Sequence, residues 1–178
     1  MPFFAHSHSD IPHDQWQSLS DHLTETAQTA GDFASAFDSR EWGYLCGLLH
    51  DLGKYSAAFQ RRLAGGKQRV DHSLAGALEV IRHLEASSLA PLANLLAHII
   101  SGHHTGLADG IAENTDAPSL KERLRTAARL PDYSAWKKEL ALPQNVLQLP
   151  AFSRQKRAGD QAFTFFFWTR MLYSCLVD

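Results

Sequence analysis

The stretch Leu48-Leu49-His50-Asp51-Leu52-Gly53-Lys54 decides how the rest of the chain is read. An imidazole and a carboxylate stand side by side in a run of leucines, near the end of a helix that the apolar spacing predicts to be buried. Burying that pair is costly unless each group finds a partner, and a divalent cation satisfies both at once. The stretch is therefore the expected core of a metal site, which needs further ligands from elsewhere in the chain.

On its N-terminal side, Trp42, Leu45, Cys46, Leu49 and Leu52 share one face of a helix. Asp38 or Ser39 would cap its start and Gly53 its end, which puts His50 and Asp51 in the last turn. Residues 14–30 place Trp16, Leu19, Leu23, Ala27 and Ala30 three and four apart with His22 beside the stripe, and Gly31 is expected to break that helix. On the C-terminal side, residues 55–63 read as a short helix stopped by Gly65-Gly66. Asp71 is the expected N-cap of a helix from about His72 to Leu84, with His72 in its first turn. Pro91 suits the start of a helix that carries Leu92, Leu95, Leu96 and Ile99 inward and delivers His103 and His104 between Gly102 and Gly106. Residues 105–118 are expected to form a polar loop at the mouth of the site. Residues 119–129 and 132–140 read as two short charged helices, followed by a Pro-bounded connector from Pro143 to Pro150. The apolar segment from about Asp160 to Val177 is expected to be a core helix, its run Phe163, Phe165, Phe166, Phe167 and Trp168 part of the core, the alternative being that part of it docks a missing domain. No alternating β-branched run and no internal repeat occurs, so the expected fold is all-α.

Length and composition fit this reading. A chain of 178 residues with 44% apolar and 20% charged content supports one domain with a full core. Cys46 and Cys175 lie in apolar helical patterns and form no CxxC pair, which fits reduced core residues of a cytoplasmic protein and excludes a thiolate zinc site. The N-terminus lacks the basic and apolar regions of a secretory signal. The most apolar stretch, Phe163 to Val177, is interrupted by Arg170 and is shorter than the about 20 residues a membrane span takes. A net charge of −2 does not describe a protein that grips duplex DNA by charge alone, so metal ions or a partner are expected to supply positive field to any nucleic-acid substrate.

The groups delivered at helix ends are His22, His50, Asp51, His72, His103, His104 and, at the C-terminus, Asp178. Together they would hold two cations with positions open to water. Their histidine richness points to transition metals such as Mn, Fe, Co or Ni rather than to Mg, which prefers oxygen ligands. Asp51 is the carboxylate placed to bridge two ions. Two ions about 3.5–4 Å apart suit hydrolysis of a phosphoester. Lys54 could reach a phosphate oxygen as a point charge, or could be a solvated cation complementing a helix end. His98 is expected to be a hydrogen-bonded core residue, while His6, His8 and His13 lie in a polar N-terminal stretch.

These residues carry a resemblance. Ala5-His6-Ser7, Asp21-His22-Leu23, Gly47 to Ser56 with Phe59-Gln60, Asp71-His72-Ser73 with Ala75-Gly76-Ala77, Gly102 to Leu107, and Arg170-Met171-Leu172 with Ser174 to Asp178 follow one another in a set order. The chain resembles the HD superfamily of metal-dependent phosphohydrolases, and within it the HD nuclease domain of the CRISPR-associated type I nuclease-helicase. The resemblance implies an HD-domain helical bundle with its metal site at converging helix ends. It implies one divalent ion on His22, His50, Asp51 and Asp178, and a second on Asp51, His72, His103 and His104. Asp51 and Lys54 are the catalytic residues it implies, with Lys54 near the scissile phosphate. The implied activity is endo- or exonucleolytic cleavage of single-stranded DNA in antiviral CRISPR interference, with a helicase and an RNA-guided surveillance complex as partners. No GxxxxGK[ST] loop occurs, so residues 1–178 read as a single HD nuclease domain, either a stand-alone subunit or part of a larger nuclease-helicase. The alternative is an HD phosphohydrolase acting on a cyclic dinucleotide or nucleotide polyphosphate. The cyclic dinucleotide enzymes follow their histidine pair with Gly-Tyr-Pro, whereas Thr105-Gly106-Leu107 stands here. A third reading is a recruitment module with an inactive site.

Overall fold

The apolar stripes fold as helices whose ends meet at one place. The computed structural model describes residues 2–107, 118–143, 147, 148, 150 and 158–177, so most of the expected mouth loop, half of the Pro-bounded connector and Asp178 lie outside the described residues. Among the described residues there is no β-strand, only an isolated bridge between Phe4 and Ser18, and the architecture is all-α as expected.

Helix α1 spans Leu19–Ala34 and is capped by Ser18, whose hydroxyl accepts from the Asp21 amide. It starts later than the spacing predicts because the chain before it is drawn into extended pairing. The Ala5 amide donates to the Gln17 carbonyl and the Leu19 amide to the Phe3 carbonyl, which leaves Trp16 outside the helix. It also runs through Gly31, because Ala27, Ala30, Gly31 and Ala34 are all buried and packing outweighs the weak helix propensity of glycine. Helix α2 spans Arg40–Leu49 and packs along α1. Its N-cap Ser39 does not cap with its side chain; the hydroxyl instead accepts from Trp168 Nε1 at 2.9 Å.

α2 stops at Leu49 rather than at Gly53. A 3-10 turn, Leu52–Tyr55, follows, and the Gly53 amide donates to the His72 carbonyl at 3.1 Å instead of closing a helix. Helix α3 is Ala57–Leu63. Helix α4 is Ser73–Leu84, and Asp71 does start it, its Oδ1 accepting from the Ser73 and Leu74 amides, with His72 at the boundary rather than in the first turn. Helix α5, Ala90–Gly102, carries Pro91 in its first turn. Helix α6, Leu120–Arg125, opens with a capping box of Ser119 and Glu122. The second charged helix is replaced by a 3-10 turn, Ser134–Lys138.

Helix α7, Ala158–Val177, lies across α1, α2 and α5. The aromatic run expected to be core divides: Trp168 is buried edge-on against Trp42, whereas Phe163, Phe166 and Phe167 are exposed. Leu172 and the buried leucines of α1, α2 and α5 complete the core. No helix among the described residues is long and apolar enough to cross a membrane.

Candidate metal centre

Four helix ends converge. His22 lies in the first turn of α1, His50 and Asp51 follow α2, His72 precedes α4, and His103 and His104 follow α5. Two close contacts bring the ends together. A Cβ on Gly76 of α4 would stand 1.9 Å from the Leu49 carbonyl oxygen, so only glycine lets α4 lie against the end of α2. A Cβ on Gly53 would meet the His72 carbonyl oxygen at 2.4 Å, so this glycine is required by close approach rather than by the helix-ending role expected of it.

Asp51 is at the centre and 2% exposed. Its Oδ2 faces His50 Nε2 at 3.1 Å and His22 Nε2 at 3.4 Å, and its Oδ1 faces His72 Nε2 and His103 Nε2, each at 3.2 Å. His104 Nε2 adjoins His72 Nε2 at 2.9 Å, and His22 Nε2 adjoins His50 Nε2 at 3.3 Å. The ligand atoms therefore form two groups that share Asp51: Asp51, His72, His103 and His104, and His22, His50 and Asp51. Each of the sequence-predicted ligands except Asp178, which lies outside the described residues, is in one of them.

The backbone fixes which ring nitrogens face inward. His50 Nδ1 is 2.7 Å from the Gly47 carbonyl oxygen and His103 Nδ1 is 2.6 Å from that of Ile100. A carbonyl only accepts, so Nδ1 carries a proton, and it is Nε2 that turns toward Asp51, with a bare lone pair in the neutral form of the ring that a metal needs. Lone pairs facing a buried carboxylate repel it unless positive charge lies between them. Asp51 Oδ1 and His103 Nε2 are both buried without a hydrogen-bond partner, as is His72 Nδ1. A divalent cation would supply the partner that the first two lack, so the residues present fit one.

Burial pushes the Asp51 carboxyl up, but the His50 ring beside it and the close contacts with His103 and His22 overcome it, holding Asp51 well below the usual carboxylate range. Burial and then His103 lower His104 to about 4, which leaves its ring free to ligate at neutral pH.

Lys54 is not a solvated helix-end cation. It is 4% exposed, and its Nζ lies 2.7 Å from Asp51 Oδ2 while donating to the Ala5 carbonyl at 3.0 Å. The segment around Ala5 is held in turn by Gln60, whose side chain accepts from the Phe4 amide and donates to the Phe4 and Lys54 carbonyls. His6 is thereby fixed with its ring edge-on to His22, 4.8 Å between centroids. The N-terminal stretch is an ordered wall of the site, whereas His8 and His13 are exposed and take no part in it. His98 is hydrogen-bonded as expected, donating to its own helix at the Asn94 carbonyl, but it is half-buried at the surface of α5 rather than in the core.

A family model described as Cas3, HD domain, matches residues 6–164. The chain belongs to the Cas3 HD domain family. That family brings metal-dependent hydrolysis of nucleic acid in a CRISPR setting, and its divalent-metal chemistry agrees with the two groups around Asp51. No curated protein matches the chain closely enough to be compared. The matched span of the HD domain includes every residue in the two groups and ends within α7.

One positioning residue of the HD domain was missed by the sequence reading. Arg123 of α6 donates to Asp71 Oδ2 and to Ser73 Oγ, each at 2.9 Å, and to the Ser101 carbonyl at 3.1 Å. It thereby ties the segment before His103 to the segment that holds His72. Its one signal was lying on a helix with too few apolar residues to be held by packing alone.

Proposed function

We propose that residues 1–178 form a single HD nuclease domain that hydrolyses phosphodiester bonds of single-stranded DNA in the cytoplasm, during CRISPR interference. It works with a helicase domain or subunit and is recruited by an RNA-guided surveillance complex. The observation that carries this reading is Asp51, a buried carboxylate whose two oxygens face separate sets of imidazole nitrogens. This supports reading Asp51 as a ligand that two ions would share. His22, His50, Asp51 and Asp178 are proposed to hold one divalent transition-metal ion, and Asp51, His72, His103 and His104 a second, with Mn, Ni, Co or Fe the expected metals.

When bound, such ions acidify water and clamp a phosphate in line for displacement. The chain's own residues prepare the site for this. The Gly47 and Ile100 carbonyls hold the His50 and His103 rings with Nε2 inward, so no proton has to leave these nitrogens before they ligate. Asp51 stays ionised, and the Ala5 wall and the flanking helices keep its charge from being diluted by water. Lys54 is proposed to turn its ammonium from Asp51 to the scissile phosphate, where it neutralises charge that develops on the non-bridging oxygens.

The test is Asp51→Ala. The variant should keep the helical circular-dichroism spectrum, lose Mn uptake, and cleave labelled single-stranded DNA at least a hundredfold more slowly. Cleavage at the wild-type rate would remove the proposal. Lys54→Met should bind metal like the wild type but cleave at least tenfold more slowly.

A further inference from the structure

We propose that a basic groove beside His72 carries the substrate strand away from the metal centre by its phosphates, an inference that rests on the single-stranded DNA reading above. The groove, about 380 Å³, lies between the α3–α4 connector and the segment after α6, and is lined in part by Ala58, Gln68, Arg69, Asp71, Thr126 and Arg129. It adjoins the site on two walls. Asp71 is the neighbour of His72 in the chain, and Ala58 is the neighbour of Phe59, whose ring packs on His72 at 5.0 Å between centroids.

The charge of the groove is uncompensated. Arg69 and Arg129 are exposed, and among the described residues neither guanidinium has an ion-pair or hydrogen-bond partner. Asp71 is the one acidic residue in the lining among the described residues, and its carboxylate is already taken by Arg123 and by the start of α4. Arg61, Arg62 and Lys67 lead up to Arg69 with no acidic residue among them. A chain with net charge −2 thus concentrates cations beside the groups that would cut a phosphodiester. Among the described residues the lining holds no aromatic side chain on which bases could stack, so the groove would grip phosphates without regard to sequence.

The test is fluorescence anisotropy on the full chain in chelator, with labelled oligothymidylate and oligodeoxyadenylate of about 20 nucleotides. Arg69→Glu with Arg129→Glu should weaken binding of both at least tenfold. Arg69→Ala with Arg129→Ala should flatten the slope of log affinity against log salt by about 1.4, about 0.7 for each phosphate that an arginine no longer neutralises. Arg40→Ala, on an arginine paired with Asp32 elsewhere on the surface, should leave binding unchanged. Melting temperature and Mn uptake of the variants serve as checks on folding. Undiminished binding by the Arg69→Glu/Arg129→Glu protein, or no measurable binding by the wild type, would overturn the groove. Failure of the wild type to hydrolyse single-stranded DNA or bis(p-nitrophenyl) phosphate with Mn sinks the nuclease reading instead, and the binding measurement tells the two failures apart.

Discussion

Gly53 and Gly76 show how much of the metal centre depends on atoms that are not there. Each is a point where one backbone lies against another, and backbone cannot step aside as a flexible side chain can. An alanine Cβ at position 76 would stand 1.9 Å from the Leu49 carbonyl oxygen, so Gly76→Ala must push α4 away from α2. We expect it to cost about 1–3 kcal/mol or more, as overpacking does, read as an earlier urea midpoint. Gly53→Ala acts on function as well. Its Cβ would press on the His72 carbonyl, which accepts from the Gly53 amide, and so displace the ring that faces Asp51 Oδ1. Because disturbing the support of a ligand typically weakens metal affinity about 10–100-fold, titration calorimetry with Mn should show a loss in that range. Unchanged affinity would mean that His72 is not a ligand.

The elements of the site divide into those that find their place by apolar packing and those that need a polar tie. Helices α1, α2, α4, α5 and α7 each carry a stripe of buried apolar residues, which is why the sequence places them and why histidines at their ends could be read as converging. Boundaries were less legible. The pairing of Ala5 and Leu19 with distant backbone delays α1, and the contact of Gly53 with His72 ends α2 early; neither has a signature in the neighbouring letters. The exposed Phe163, Phe166 and Phe167 also defied their composition, since hydrophobicity alone does not say which face of α7 meets α1, α2 and α5. Helix α6 is the polar case, tied down through Arg123. Arg123→Met should cost about 1–3 kcal/mol, because it removes the charged donor shared by Asp71, Ser73 and the carbonyl of buried Ser101. Arg123→Lys should restore only part of this, since an ammonium cannot reproduce the guanidinium fork that reaches Asp71, Ser73 and Ser101 together. A purely structural tie would leave Mn affinity unchanged in both variants; a tie that positions His72 and His103 predicts weaker Mn binding in the Met variant and partial recovery in the Lys variant.

At the scale of the whole molecule, the question is whether the metal makes the fold or only tightens it. In a small zinc module the ion takes the place of a core, and removing it unfolds the chain. Here the core stands apart from the site: fully buried leucines run through α1, α2 and α5, and each contributes about 1.5–3 kcal/mol relative to exposure. The charge of Asp51 also has a protein partner without any ion, because Lys54 lies 2.7 Å from Oδ2. The protein in chelator should therefore keep its helical circular-dichroism spectrum and a cooperative thermal transition. Metal ligands brought together from four helix ends exist in the folded state and not in the unfolded one, so binding must still shift the equilibrium toward folding. With Mn at a hundred times its dissociation constant the gain is about 2.7 kcal/mol for one site. For a domain of this size that should raise Tm by roughly 5–11 °C. Asp51→Ala should abolish the rise, since it removes the ligand common to both groups. A rise that survives in that variant would place the bound ion elsewhere, and loss of helicity on chelation would show that the core cannot hold the bundle without it.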